Sequence, residues 1–554
     1  MGSNDGAREL LSAGLTRRQF MTRMAALGVT LPAASGFAAV ARPRLAVAQT
    51  AKSGGTLRYG TWQPIDSLDP QIGGLQVCAA INQGMQDCLV RRKPGDPKTY
   101  PNLATSWEAA PDSTSYTFKL RNDVKFHDGT PFNAQAVKAS FDRIVDPNTK
   151  SGGALTAIGP YDSSDVVDDY TVKVNFKQPN GAFLTMLSTV WLAPQSPDAT
   201  AKWGQDYQDH VAGTGPFMLK EYVHNDHVTL VRNADYNWAP EIYKHTGPAL
   251  LDQIVFTVVT EDATRVAALK SGDLDLIDRM PPRDLADLSK NSDYKTMTGA
   301  AGGVVWTLAL HVKKAPTEDP AVRKAIMMTY DAPGIVDLLF QGTLEPAYNL
   351  LEPTMTGYNE DTKSLIKHDP EGAKKVLEDA GWKVGSGGIR EKDGQPLKLA
   401  LIIFADWGID EMAVTLQAQL KEVGIDMEIK SLEQAAAHAA IDAGEHNAAF
   451  TFSWWADPSI LRNFFGTELI GHGNKPNYSN PQVDQWLIDG LATTDDVKRA
   501  EIYNKVVSAV MSDAAAIPFF QKRIILASKS KLDLDSVAIN IEGYPNFYDV
   551  GYLS

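Results

Sequence analysis

The sequence predicts a mixed α/β protein built from several packed regions, and three observations support this prediction. Residues 115–121 and 170–176 alternate apolar and polar side chains with a period of two, which is typical of half-buried strands. Helical segments such as 262–271 and 410–423 lie between such strands. The chain of 554 residues also exceeds the length at which one hydrophobic core keeps growing. Two or three cores of α/β or α+β architecture are therefore expected.

The first predicted elements are a short strand after Gly54-Gly55 and a helix that contains Cys78 and Cys88. Ten residues of helix would separate the two cysteine Cα atoms by roughly 15 Å. A disulfide requires a Cα separation below about 7 Å. We therefore expect the two cysteines not to be bridged to each other.

A strand, a turn and a helix are predicted within residues 124–145. Residues 124–126 read as a strand, and Asp128-Gly129 supplies the positive φ that a tight hairpin needs. Asn133 is a good N-cap for a helix over residues 134–145.

The rest of the chain continues with strands and helices in mixed order. No internal repeat, low-complexity tract or long Pro/Ser linker divides it, so the domains are expected to interleave, and a Gly-rich joint lies at 299–303. Strands are predicted at 217–222, 227–232, 254–259, 274–277, 397–404 and 426–432.

Residues 1–48 are predicted to be a targeting segment. Arg17-Arg18 precedes an apolar run at 24–41, which resembles a twin-arginine signal, and cleavage is expected after Ala48. An amphipathic N-terminal helix is the alternative, which the glycines and proline of this run disfavour. No later stretch reaches the ~18–20 apolar residues needed to cross a bilayer. We expect a periplasmic protein, exported by the twin-arginine route, without a lipid anchor.

The net charge of −14 argues against a nucleic-acid partner. Binding to DNA or RNA draws most of its affinity from Lys and Arg side chains that neutralise phosphates. An acidic surface can equally serve solubility alone, so it does not identify the ligand.

The sequence contains no recognisable catalytic motif. Gly-x-Ser-x-Gly, Walker and His-Glu-x-x-His patterns are missing, and Pro216 removes a backbone donor next to Gly213-Thr214-Gly215. His224 and His227, the nearest histidine pair, would share no metal-binding face in a hairpin. We therefore expect a protein that is not an enzyme and that has no cofactor and no bound metal.

Tryptophan is the residue type that best indicates a binding site. The chain has 11 tryptophans, and Trp62, Trp191, Trp407, Trp454 and Trp455 lie in loop-like positions. Indole rings offer a ligand a large contact area at low conformational entropy cost, and they stack on peptides, sugars and cations. Each of them, taken singly, can also be a core residue.

The segment 449–458 joins an apolar strand to two tryptophans and an acid before a proline. Strand parity groups Phe450, Phe452 and Trp454 on one face and leaves Trp455 on the other, so one tryptophan should face a cleft. Asp457 could bind an ammonium group by a charge-assisted hydrogen bond. An Asp-Pro turn cap is the alternative role for Asp457.

Residues 124–141, which read VKFHDGTPFNAQAVKASF, resemble the signature of the bacterial family 5 extracellular solute-binding proteins. This family includes the dipeptide, oligopeptide and nickel receptors of ABC importers. The resemblance covers about residues 54–550. Further agreement is found at 67–70, 213–217, 267–275, 319–326 and 373–381.

The resemblance implies a two-lobed clamshell with an extra domain inserted in the first lobe. The first lobe would comprise 49–88, 208–305 and 518–554, the insert 89–207, and the second lobe 306–517. The Gly-rich joint would then lie at the hinge. We expect a monomer that captures a peptide or peptide-like small polar solute and delivers it to the permease subunits of an ABC importer. A non-peptide solute (an opine, oligosaccharide or metal complex) and a sensory or chaperone-like role are the alternatives.

The resemblance also implies site residues. In peptide-binding members an acid three residues after a tryptophan pairs with the ligand's amino terminus, and Trp454 and Asp457 stand in those places. Dipeptide receptors hold the ligand carboxylate with an arginine on the loop that here spans 403–408, but this loop contains no arginine. Arg462 is a candidate replacement, unless the ligand lacks a carboxylate. The predicted ligand-binding residues are Asp457, Trp454, Trp455, Trp407, Asp406, Trp306, Trp62 and Arg462.

Overall fold

The computed structural model describes residues 51–404 and 408–554. The predicted targeting segment and the candidate site residues Asp406 and Trp407 lie outside the described residues. Among the helices of the described residues, none is long and apolar enough to span a membrane. All contacts discussed below lie within one compact unit, Ala51–Tyr552.

The first part of the chain is mainly antiparallel β-structure with short helices. Its elements are β1 (Ala51–Lys52), β2 (Thr56–Thr61), α1 (Gln76–Met85), β3 (Val90–Lys93), β4 (Asp96–Pro101), β5 (Ala104–Ala109), β6 (Ser115–Leu120), α2 (Ala134–Val145), α3 (Gly153–Ile158), β7 (Tyr161–Asp168), β8 (Thr171–Phe176), α4 (Phe183–Met186) and α5 (Pro197–Trp203).

The middle part alternates strands with two helices and ends in two strands on either side of the Gly-rich joint. Its elements are β9 (Phe217–Val223), β10 (His227–Arg232), β11 (Gln253–Val258), α6 (Asp262–Ser271), β12 (Leu276–Asp278), α7 (Pro282–Leu288), β13 (Tyr294–Ala300) and β14 (Val304–Leu310).

The last part contains most of the helices. Its elements are α8 (Pro320–Thr329), α9 (Ala332–Phe340), α10 (Pro370–Asp379), β15 (Lys383–Val384), β16 (Arg390–Lys392), β17 (Gln395–Pro396), β18 (Lys398–Phe404), α11 (Ile409–Glu422), β19 (Asp426–Leu432), α12 (Gln434–Asp442), β20 (Ala448–Ser453), α13 (Leu461–Phe465), α14 (Pro481–Leu491), α15 (Asp496–Ser512), β21 (Ala516–Phe520), β22 (Arg523–Lys529), β23 (Ala538–Ile539), β24 (Pro545–Asn546) and β25 (Tyr552–Leu553).

Three sheets organise these elements. A seven-stranded sheet has the order β13-β22-β12-β2-β11-β10-β9, in which β2 runs parallel to β11 and β12. A five-stranded sheet has the order β19-β18-β20-β14-β21, with β18 parallel to β19 and β20. A four-stranded antiparallel sheet, β5-β6-β8-β7, packs against α2. The observed mixed α/β architecture confirms the predicted fold class.

The chain passes twice between the seven-stranded and five-stranded sheets, at 301–303 and at 521–522. Gly303 has φ of +101°, and a Cβ there would lie 2.0 Å from the Ser453 carbonyl oxygen. A Cβ on Gly302 would lie 2.2 Å from the carbonyl oxygen of Ile541. Only glycine can let the backbones approach this closely.

Lys522 joins the two crossings. Its buried ammonium group donates hydrogen bonds to the carbonyl oxygens of Gly302 (2.9 Å), Val304 (2.8 Å) and Ser453. The second crossing is thereby fixed to the first and to the end of β20.

The two cysteines are free, as predicted, but only Cys78 lies in a helix. The prediction of one helix through Cys88 is wrong, because α1 ends at Met85. The Met85 carbonyl oxygen accepts a hydrogen bond from the Gly215 amide (2.9 Å), and Gln86 turns into an extended conformation.

The predicted hairpin at 124–131 is only partly present. Gly129 has the expected positive φ of +89°, but 124–126 forms an isolated bridge between Lys125 and Pro131 instead of a strand. Proline has no amide proton with which to extend a ladder. The predicted cap is confirmed, because the Asn133 side chain accepts a hydrogen bond from the Ala136 amide at 2.9 Å.

Candidate ligand-binding site

A cavity of about 980 Å³, counting its open mouth, lies where the seven-stranded and five-stranded sheets meet. We call it the basic cavity because Arg279, Lys522 and Arg523 line it. Its other lining residues include Tyr59, Trp62, Asp278, Trp306, Phe452, Trp454, Phe520 and Tyr544.

A second cavity of about 1160 Å³ adjoins the first and shares Trp62, Gln76, Phe452, Trp454 and Tyr544 with it. We call it the tryptophan cavity, because four tryptophans line it. These are Trp62, Trp191, Trp454 and Trp455, and they are joined by Phe404, Gln434, Ser453 and Glu542. The two cavities together are named the cleft.

The wall of the cleft on the five-stranded sheet is an aromatic cluster. The ring centroids of Trp306 on β14 and Phe452 on β20 lie 4.1 Å apart, and Trp306 also stacks on Phe520 of β21 at 5.9 Å. Phe452 meets Trp454 edge to face at 6.4 Å. Neighbouring strands of one sheet therefore give the cleft a stiff apolar wall.

The wall on the seven-stranded sheet includes a cation–π pair. The Arg279 guanidinium lies 4.1 Å from the centre of the Trp62 ring. Trp62 follows β2 and Arg279 follows β12, and these strands run parallel, so their carboxyl ends bring the two side chains together. Ligand sites in open α/β sheets commonly lie at this end of the strands.

Asp278 is the acid of the basic cavity. Its Oδ2 accepts a hydrogen bond from the Tyr59 hydroxyl (2.9 Å), and its Oδ1 lies 3.8 Å from the Nε of buried Arg265. Burial raises the pKa of Asp278 to about 6, although Arg265 opposes this shift. Lys522 and Arg523, which also line this cavity, are ion-paired with Glu352 and Glu345.

Burial also lowers the pKa of Lys522 to about 8, against the attraction of Glu352. The ammonium group lies 4.9 Å from the centre of the Trp454 ring. The three N–H donors of Lys522 already bind three carbonyl oxygens, so none is left for a ligand. Lys522 therefore serves to position the wall of the cleft.

Asp457 is enclosed with Arg499. The two guanidinium–carboxylate hydrogen bonds measure 2.6 and 3.0 Å, and each side chain is 1% exposed. The Asp457 Oδ1 also accepts a hydrogen bond from the Ser459 amide (2.9 Å), which is the Asp-Pro cap that the sequence left as an alternative. Burial raises the pKa of Asp457, but Arg499 outweighs this effect and leaves it below the usual value. Asp457 is not among the residues that line the cleft, and its predicted contact with a ligand stays a prediction.

The other described candidates divide into two groups. Trp62 and Trp454 line both cavities, Trp306 lines the basic cavity, and Trp455 lines the tryptophan cavity. The predicted separation of Trp454 from Trp455 by strand parity is wrong, because β20 ends at Ser453 and both rings reach the tryptophan cavity. Arg462 does not line the cleft; it donates to Glu468 at 2.6 Å and lines a separate pocket that Trp455 also borders.

The charged residues of the cleft, notably Arg279, Glu542 and Arg523, are not among those predicted from the sequence. Arg279 follows a segment that matched the family pattern, so its position directly after a strand was a usable signal. Glu542 lies in a loop after β23 with no pattern that singles it out. Within residues 51–404 and 408–554, no group of three His, Cys, Asp or Glu side chains could hold a metal ion.

This architecture, two sheets joined by two crossings with an aromatic cleft between them, defines the class of two-lobed periplasmic binding proteins. The model for "Bacterial extracellular solute-binding proteins, family 5 Middle" matches residues 98–474, more than half of the chain. The chain belongs to this family, and it is the substrate-binding component of an ABC importer.

Several relatives match over most of their length. Heme-binding protein A of Haemophilus influenzae is 29% identical over 471 residues, covering 79% of this chain and 82% of the relative. The glutathione-binding protein GsiB of Escherichia coli O1:K1 is 28% identical over 445 residues, covering 78% and 82%. The structure of the periplasmic binding protein DppA of Helicobacter pylori with the peptide STSA superimposes with a TM-score of 0.73 at 25% identity, covering 91% and 99%.

Proposed function

We propose that this protein captures a peptide or peptide-like small solute in the cleft and carries it to a membrane permease. The observation that supports this most directly is the cleft itself, which has aromatic and charged side chains from both main sheets. Ligand pockets are typically concave, mostly apolar and provided with a few polar groups that fix orientation. Relatives named for glutathione and a neighbour with a bound peptide make peptide-like solutes the first class to test.

The proposed mechanism is closure around the ligand. A solute that contacts Trp62 on one sheet and Trp306 on the other gains more contacts when the two walls approach. It therefore shifts the population toward the closed state, and the closed surface is what a permease would recognise. The ligand is released from the protein without chemical change, and no reaction is proposed.

We propose further that the protein acts in the periplasm as a monomer. Residues 1–48 would direct export by the twin-arginine route, for which Arg17-Arg18 before an apolar run is the supporting pattern. The lobe boundaries proposed are those expected from the family, with the second lobe at 306–517.

Affinity measurements with the Trp62→Ala variant test the role of the cleft. Removing this indole deletes a shared wall of both cavities, and we expect the affinity for a bound peptide to fall at least tenfold. Trp203→Ala is a matched control, because Trp203 stacks on His210 outside the cleft. Titration calorimetry with di- and tetrapeptides and with glutathione would measure both variants.

Two outcomes would contradict the proposal. Equal affinities for Trp62→Ala and Trp203→Ala would exclude the cleft as the site. If opines, oligosaccharides or metal complexes bind and no peptide binds, the proposed peptide class is wrong, although the transport role still holds. A thermal-shift screen detects either case, since a ligand at 100 times its dissociation constant stabilises by about 2.7 kcal/mol.

A further inference from the structure

Glu542 is an acid in the cleft, and among the residues that the structure describes no cation neutralises it. Its side chain lines the tryptophan cavity, and the residue is only 2% exposed. Within the described parts of the chain, no Lys, Arg or His nitrogen lies within 4.0 Å of its carboxylate. A buried carboxylate without a cation is costly, so such groups commonly serve a bound partner.

The two hydrogen bonds to Glu542 leave it able to accept more. Oε1 accepts from the indole of Trp191 at 2.8 Å, and Oε2 accepts from the side-chain amide of Asn540 at 3.2 Å. A carboxylate offers about four lone-pair sites, so about two remain. Trp191 and Asn540 thus hold the carboxylate in place without saturating it.

The surroundings of Glu542 favour a positive charge. The faces of aromatic rings attract cations, and Trp62, Trp191, Trp454 and Trp455 line the same cavity. Asp457 is already paired with Arg499, and a ligand that took its carboxylate would leave a buried guanidinium without that partner.

We propose that Glu542 binds a cationic ammonium group of the ligand in the tryptophan cavity, so that the solutes carried are amine-bearing or quaternary ammonium compounds. This inference rests on the proposed function, because it places the ligand in the same cleft. The residue proposed to bind the ammonium group is therefore Glu542, and not Asp457, which the family resemblance implied.

The test compares each ammonium probe with a counterpart that lacks the charge. The probes are the peptide Ser-Thr-Ser-Ala, glutathione and choline, and their counterparts are the two N-acetylated peptides and 3,3-dimethyl-1-butanol. Calorimetry gives the ratio of dissociation constants within each pair. For the unaltered protein we expect at least one pair with a ratio of ten or more in favour of the cation.

The Glu542→Gln variant should bring that ratio close to one, whereas Glu371→Gln should leave it unchanged. Glu371 is a matched control because its side chain is 83% exposed and pairs with Lys374 in the same helix. The ratio separates recognition of charge from a general loss of folding, which would weaken both members of a pair.

Three results would overturn the inference. The first is a ratio near one in the unaltered protein, and the second is an unchanged ratio in Glu542→Gln. The third is that no cationic probe binds at all. Choline binding without peptide binding would support the inference while contradicting the proposed peptide class, so the two can fail separately.

Discussion

The guanidinium of Arg499 and the carboxylate of Asp457 form a buried ion pair in which each charge neutralises the other. Arg499 is 1% exposed, and its next acidic neighbour, Asp496, lies at the limit of an ion pair at 4.0 Å. Two charges removed from water are tolerated only as a matched pair. The pair therefore fixes the turn that carries Trp454 and Trp455 into the cleft.

Replacing Asp457 by alanine should reduce the free energy of unfolding by about 3–5 kcal/mol, because Arg499 would stay buried without its partner. Urea denaturation measures this change. Asp535→Ala serves as a control, since Asp535 is 83% exposed and its pair with Lys295 should contribute less than about 1 kcal/mol. An effect of the Asp457 substitution as small as that of the control would contradict the structural role.

Glu542 should make the stability of the protein fall as pH rises. Burial raises its pKa from 4.5 to about 7, so the folded state holds a proton that the unfolded state has lost between these pH values. Stability rises with pH only where the unfolded state binds more protons, and here the folded state does. This contribution is present below about pH 4.5 and is lost as pH approaches 7.

Glu542→Gln removes the titration and keeps a similar shape. The difference in free energy of unfolding between the variant and the unaltered protein should shift by about 3 kcal/mol in favour of the variant from pH 4.5 to pH 8. Urea denaturation at several pH values would measure it. A difference that is constant over this range would contradict the raised pKa.

At the scale of elements, the crossing between the two sheets at 301–303 depends on a glycine. Gly303→Ala would place a Cβ 2.0 Å from the Ser453 carbonyl oxygen in a left-handed conformation. We expect a loss of at least about 1–3 kcal/mol in stability, measured by thermal unfolding. Gly152→Ala is the control, because Gly152 has negative φ and open space around its Cβ position. Equal melting temperatures for the two variants would show that this crossing tolerates a side chain.

Helices and strands were predictable where the local sequence has a clear periodic pattern. The predicted bounds of β10, α6 and β19 agree with the structure, because alternation and helical periodicity mark them directly. The end of α1 was not predictable, since it is set by a hydrogen bond from Gly215, far away in the sequence.

The candidate site was predictable only in part, because many of its contacts join residues that are far apart in the sequence. Tryptophans after strand ends indicated the cleft, and Trp62 and Trp454 do line both cavities. The partner of Asp457 is 42 residues away on α15, and Glu542 reaches Trp191 across 351 residues. Neither local pattern nor spacing reports such contacts.

At the scale of the whole molecule, the mechanism requires a ligand to bring the two lobes together. We expect saturating amounts of a bound peptide to reduce the radius of gyration measured by small-angle X-ray scattering. The Trp62→Ala variant at the same peptide concentration should show a smaller reduction, because it binds less. Full occupancy by calorimetry without any decrease in radius would contradict closure.

The strand order of the seven-stranded sheet determines how late in synthesis this sheet can be completed. Among the described strands, β13 pairs with β22 alone, and β22 lies between β13 and β12 in the sheet. About 220 residues of chain lie between the end of β13 and the start of β22. At 5–20 residues per second, synthesis of that interval takes roughly 10–45 s. During this time β12 and β13 both lack β22, the strand that pairs with each of them. The seven-stranded sheet is therefore among the last parts of the molecule to be completed, although its strand β2 lies near the start of the described chain.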